Sequence, residues 1–212
     1  MIALLLSAFL PLARGIEIAP APIITPRRLE LTREYCKRHY GLDSARLQDP
    51  QIIVIHATEM AEFKASLAAM RPDTLGPSRQ ELRGGGELNV GVHFLVDTDG
   101  RVYSLLPLDI IGRHAIGLNH VSIGVENVGF AGKLTPAQVE ADAALVQDLL
   151  KRAPSLKYLI GHYEYNDKRL PHHALFKERD AGYKTTIKSD PGRAFMSALR
   201  KRLAEFDVAL AK

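Results

Sequence analysis

The 212-residue chain has no tryptophan and a single cysteine, Cys36. One thiol excludes an intrachain disulfide and any multi-cysteine zinc site. No lysine and arginine run is dense enough to mark a nucleic-acid surface, and the net charge is only +4. No apolar run reaches the ~20 residues that a membrane-spanning helix needs, so no transmembrane anchor is expected. A His-Glu-x-x-His element is also missing, which counts against the zinc peptidases that carry both histidines on one helix.

What is present is the composition of an ordinary folded domain, 46% hydrophobic and 25% charged. The length fits one domain with an extension and suffices for a sizeable core. The first residues, "MIALLLSAFLPLARG", form a short apolar run closing on small residues. Residues 1–15 are therefore expected to be a signal peptide cleaved after Gly15, which implies export to the periplasm. The alternative is a cytoplasmic protein whose N-terminus belongs to the fold.

Residues 16–45 read as an extension: a proline-rich extended lead-in over 16–28, then a short amphipathic helix over 29–40 ended by Gly41. The main domain is expected over 46–210. "QIIVIHAT" (51–58) is an unbroken Ile/Val-rich run that suits a buried strand. Met60, Phe63, Leu67 and Met70 follow at helical spacing, and residues 71–91, with "RGGGELNVG", read as a long polar loop. "VHFLVDTDGRVYSLL" (92–106) is a hairpin around Asp-Gly. "VSIGVENVGF" (121–130) and "LKYLIGH" (156–162) are further strands. Between them "TPAQVEADAALVQDLLKRA" begins with a capping box, Thr135 to Gln138. The pattern predicts a single α/β domain with a central mixed sheet flanked by helices.

His56 and His162 each end an apolar strand, where α/β folds gather their sites. Either alone reads as readily as a structural group. In "TTIKSDPGRAF" (185–195), Asp190 stands before Pro191 and a helical pattern running through Phe195, Met196, Leu199, Leu203, Phe206 and Leu210. Asp190 therefore suits a helix N-cap. Two imidazoles and one carboxylate would also make a catalytic zinc shell with a fourth position left for water. His93 is assigned to the packing of the hairpin, and His120, His172 and His173 to surface or loop positions.

"IIVIHAT", "HFLVDTDGRVYSLLP", "GRHAIGLNHVSIGVENVG", "LIGHYEY" and "KSDPG" occur in the order found in zinc-dependent N-acetylmuramoyl-L-alanine amidases. Over about residues 50–205 the chain resembles this amidase-2 family, which is similar to peptidoglycan recognition proteins. The resemblance implies one Zn2+ per chain held by His56, His162 and Asp190, with Glu126 and Lys188 as the catalytic pair. Asp190 would then cap its helix and coordinate at once. Zinc lowers the pKa of a bound water to about 7 and polarises carbonyls. Glu126 would move the proton of the attacking water to the leaving nitrogen, and Lys188 would stabilise the oxyanion. The implied substrate is peptidoglycan or a muropeptide, cut between N-acetylmuramic acid and L-alanine.

His114 aligns with a family position near the substrate groove, and Arg113 stands where the family commonly has an aromatic. Arg113, His114 and Arg83, the last in the glycine-rich loop with Arg79, are substrate-contact candidates. The connection from His162 to Asp190 is longer than in compact family members, and with the 71–91 loop it is expected to wall the cleft. Two other readings stay open: a non-catalytic peptidoglycan-binding module, and a cytoplasmic amidase that recycles muropeptides. Nothing in the sequence speaks to oligomeric state.

Overall fold

The structure, a computed structural model, describes residues 16–212 apart from Ser78. The expected signal peptide, residues 1–15, lies outside the described residues. Strand β1 is Ile18–Pro20, β2 Ile52–Ala57, β3 Phe94–Val96, β4 Val102–Ser104, β5 Ser122–Asn127 and β6 Tyr158–Gly161. They form one six-stranded sheet in the order β1-β4-β3-β5-β2-β6. All neighbours run parallel except β3 and β4, the hairpin around Asp99-Gly100. Every residue of β2 is buried, as a continuous Ile/Val run requires when both faces of a sheet are covered.

The helices are α1 (Pro26–Tyr40), α2 (Phe63–Met70), α3 (Gln80–Arg83), α4 (Pro136–Arg152) and α5 (Arg193–Ala204). Helix α4 begins with the expected capping box, Thr135 and Gln138 each bonding the other's backbone N–H. Its Ala143, Val146 and Leu149 join the core with Phe195, Met196 and Leu199 of α5. On β5, Asn127 donates to Asp142 of α4 at 2.9 Å, so the odd-numbered residues of β5 face α4. Alternation turns Ser122, Gly124 and Glu126 to the opposite face, where the cleft lies.

Several expectations need correction. Helix α1 starts at Pro26 rather than residue 29, because the Thr25 side chain accepts from Arg28 N at 3.0 Å and proline suits the first turn. The lead-in before it contains β1. Residues 71–91 hold α3 and a Thr74–Leu88 bridge, so they are not loop throughout. Helix α5 ends at Ala204, leaving Phe206 outside it and 41% exposed. Asp190 is not the cap of α5. The N-cap is Gly192 at φ 102°, a left-handed conformation suited to glycine. A Cβ on Gly192 would also lie 2.8 Å from Gly132 N.

The histidines divide differently than expected. His93 is buried within the hairpin region, donating to Ile110 O and accepting from Gly124 N. His172 is also fully buried, its Nε2 donating to Glu164 O at 3.1 Å, and so is no surface group. His120 is half-buried against the Tyr40 ring, 4.6 Å between centroids.

Candidate active site

Parallel register builds the floor of the cleft. His56 of β2 pairs with Glu126 of β5, and Ile55 pairs with Gly161 of β6. Paired residues of neighbouring strands point the same way, and one further step brings His162 beside His56, ring centroids 4.4 Å apart. The backbone N–H of Gly161 is held by Glu164 Oε2 at 2.9 Å, and Glu164 is anchored by Arg200 at 2.6 Å. Asp190 arrives from 28 residues away, joined to the strand end by a Tyr163 N–H donating to Asp190 O at 3.0 Å.

Asp190 Oδ2 lies 3.0 Å from His162 Nδ1 and 3.5 Å from His56 Nδ1. One donor atom from each of the three residues falls within 4.8 Å of the others, and all three residues are buried. Ligands of a tetrahedral zinc with bonds of ~2.0–2.1 Å stand roughly 3.3 Å apart. The separations and the donor set therefore fit a metal ion. Burial pushes the Asp190 carboxyl up, but the His162 hydrogen bond and the adjoining His56 imidazole outweigh it and hold the group well below the usual carboxylate range. Burial and the neighbouring His56 lower His162 to about 4, which keeps it neutral, the form that binds metal.

Glu126 enters the same cavity, a space of about 270 Å3 that the three residues also line. Burial, aided by the charge of Asp190, pushes Glu126 up to about 7 against the opposing pull of His56 and Arg79. Among the described residues its Oε2 has no hydrogen-bond partner. Lys188 also lines the cavity and is half-buried. The geometry thus gathers two imidazoles, two carboxyls of contrasting proton affinity and an ammonium. That combination can hold a cation, take up a proton and meet developing negative charge.

The substrate-contact candidates separate. His114 lines the cavity, yet both its ring nitrogens are engaged, with His56 Nε2 at 3.1 Å and Ser122 Oγ at 3.4 Å. Arg113 is buried, and its guanidinium donates to Gly86 O, Leu88 O, Leu82 O and the Tyr183 hydroxyl. It also packs over the rings of Tyr35 and Tyr183. It lines the cavity as well, but its four terminal N–H donors are occupied within the protein, so it braces the cleft and has no free terminal pair for a ligand carboxylate. Arg83 ends α3 exposed and outside the cavity lining, which includes Arg79 instead.

Both expected walls are present. Met70 at the end of α2 joins Arg79, Leu82 and Val90 of the 71–91 segment in one wall, and Tyr165, Tyr183 and Thr186 of the His162–Asp190 connection form the other. Ile187 stands 99% exposed on the rim beside Lys188. The sequence reading missed Arg28, a buried residue whose guanidinium caps Met70 O, Pro72 O and Val90 O. It also missed Tyr183. The only signal for either was an arginine or tyrosine beside stretches rich in glycine and proline.

Residues 46–193 match the family described as N-acetylmuramoyl-L-alanine amidase. The chain is 36% identical over 100 residues to the endolysin of Escherichia phage T7, covering 44% of this chain and 66% of that protein. It thus spans just under two thirds of the phage protein. It is 31% identical over 145 residues to a peptidoglycan-recognition protein of Drosophila simulans, covering 63% of this chain and 75% of that one. The crystal structure of a selenomethionine AmpD derivative superposes with a TM-score of 0.58 at 21% identity, covering 88% of this chain and 94% of that one. The last likeness shows the fold.

Proposed function

Because the chain belongs to the N-acetylmuramoyl-L-alanine amidase family, we propose that it hydrolyses the amide between the lactyl group of N-acetylmuramic acid and the L-alanine of the stem peptide. The substrate is peptidoglycan or a soluble muropeptide. The observation that carries this reading is the meeting of His56, His162 and Asp190 in one cavity with the unpartnered Oε2 of Glu126.

His56, His162 and Asp190 would hold one zinc ion. When bound, that ion supplies Lewis acidity, which activates water and polarises an amide carbonyl. The chain's own residues do the rest. Glu126, with a proton affinity lifted to about 7, accepts a proton from the attacking water and delivers it to the leaving nitrogen near neutral pH. Lys188 sets an ammonium beside the carbonyl oxygen as its charge grows. The two loop walls exclude bulk water and orient the peptide.

Digestion of purified peptidoglycan with the zinc-loaded protein, with and without a chelator, tests the reading by mass spectrometry. The expected products carry a free lactyl carboxylate and a free L-alanine amine, and the chelator removes them. Binding without cleavage would favour a recognition module, and cleavage inside the stem peptide would favour a peptidase. The apolar residues 1–15 support export of this activity. A mature N-terminus at Ile16 is the expected sequencing result, whereas an intact Met1 would favour cytoplasmic recycling.

A further inference from the structure

The ring of His114 sits in a seat that glycine makes possible. A Cβ on Gly124 would lie 2.8 Å from the ring. The backbone N–H groups of His114 and Ala115 both donate to Asn119 Oδ1, at 2.8 and 2.7 Å. The Asn119 amide in turn donates to the hydroxyls of Tyr35 and Tyr40. This imidazole is fixed firmly behind His56, yet the proposed reaction assigns it no proton to move.

Its partners decide which nitrogen bears its hydrogen. The Ser122 hydroxyl donates to Leu118 O at 2.8 Å, so toward His114 Nε2, 3.4 Å away, Oγ offers only lone pairs. His114 therefore carries its hydrogen on Nε2 and presents Nδ1 as an acceptor. His56 Nε2 stands 3.1 Å from that acceptor, so His56 carries its hydrogen on Nε2 as well. The remaining lone pair of His56 is then on Nδ1, the atom 3.5 Å from Asp190 Oδ2.

We propose that Ser122 and His114 form a hydrogen-bonded relay that fixes the tautomer of His56 and presents its Nδ1 as the metal-ligating atom. The proposal rests on the zinc reading above. Both relay members are positioning residues, acting on the ion only through His56. Partners behind a ligating imidazole raise its basicity, and their loss typically weakens metal binding 10–100-fold.

The test has two arms. Nitrogen-15 NMR of the metal-free full chain, with labelled histidine, should find both His56 and His114 protonated on Nε2. A His56 protonated on Nδ1 overturns the relay. In the second arm, zinc affinity is measured by competition with a chelator. His114→Phe, which fills the seat without an acceptor, should bind zinc about 10–100-fold more weakly. His114→Gln, whose amide oxygen can accept from His56, should recover part of the loss. Wild-type affinity in a folded His114→Phe overturns the proposal. If that variant does not fold, Ser122→Ala replaces it, and an unchanged affinity with an unchanged His56 tautomer overturns the relay. Failure of the wild-type chain to take up zinc overturns the metal reading instead, and the metal-free spectrum separates the two failures.

Discussion

The floor and the walls of the cleft are built by different physics. On the floor, His56, Glu126 and His162 are placed by the pairing of three adjacent parallel strands. A slip of one residue there would turn a whole face over. The walls have almost no regular structure and are held by side chains that grip backbone carbonyls. Arg113 ties Leu82, Gly86 and Leu88 of one wall to Tyr183 of the other. Arg38 likewise bonds Gly84 O and Asp180, and His39 lies between Gly85 O and Glu178. Most of the proposed chemistry thus falls on the strand-built floor, and the shape of the groove on a part fastened at a few points.

The largest effect should come from the proposed metal site, where floor and wall meet. Asp190→Ala removes the carboxylate that stands beside both histidines, and both zinc uptake and hydrolysis should fall to background. Calorimetric zinc titration and a muropeptide assay check this, and hydrolysis that survives would contradict the assigned ligand set. Next, Glu126→Gln keeps the shape but not the base. It should cut kcat by about 10²–10⁴-fold while zinc binding persists. Loss of zinc in this variant would mean that Glu126 holds the site together and is not its base.

A smaller effect belongs to the walls. Arg113→Met leaves several buried carbonyls without donors, at about 1–3 kcal/mol for such unsatisfied groups. Hydrogen exchange should quicken at Gly86, Leu88 and Tyr183 and not at Ile55 or Val125. Equal acceleration on the floor would abolish the distinction between the two regions.

The smallest effect tests the bracing beneath the floor. Burial raises the Asp142 carboxyl from 3.8 to about 7, partly opposed by the Asn127 hydrogen bond. A carboxyl raised on folding stabilises most below its unfolded pKa, and that stability drains away as pH climbs through about 7. The advantage of Asp142→Asn over wild type in denaturant melts should therefore grow from pH 4 to pH 7 and then level off. A flat difference would show that Asp142 is solvated rather than buried.

The same division explains what the sequence made legible. The central strand β2 announced itself as an Ile/Val run, and α4 through Thr135, Pro136 and Gln138, because burial and capping leave local patterns. His56 and His162 could be placed at strand ends for the same reason. Asp190 misled as a cap because Asp-Pro-Gly satisfies the local rules for a helix start. The nearby histidines hold the carboxylate instead, and Gly192 takes the turn. That Arg113 spends its terminal donors on Leu82, Gly86 and Leu88 carbonyls was illegible, because the direction an arginine faces depends on distant carbonyls and leaves no periodic trace. His172 carried no apolar pattern either, since its buried ring sits in a short turn beside Tyr158 and bonds Glu164 O.

One backbone hydrogen bond carries a consequence for how such enzymes diversify. Tyr163 N–H to Asp190 O closes the excursion between two proposed ligands at its base. The residues beyond that staple form a handle whose two ends are already joined. Closure entropy grows only logarithmically, about 0.6 kcal/mol for each doubling of length. Whole modules could be spliced into the outer part of this handle, away from the gripped Glu178–Tyr183 stretch. The spacing of His162 and Asp190 would scarcely register the graft.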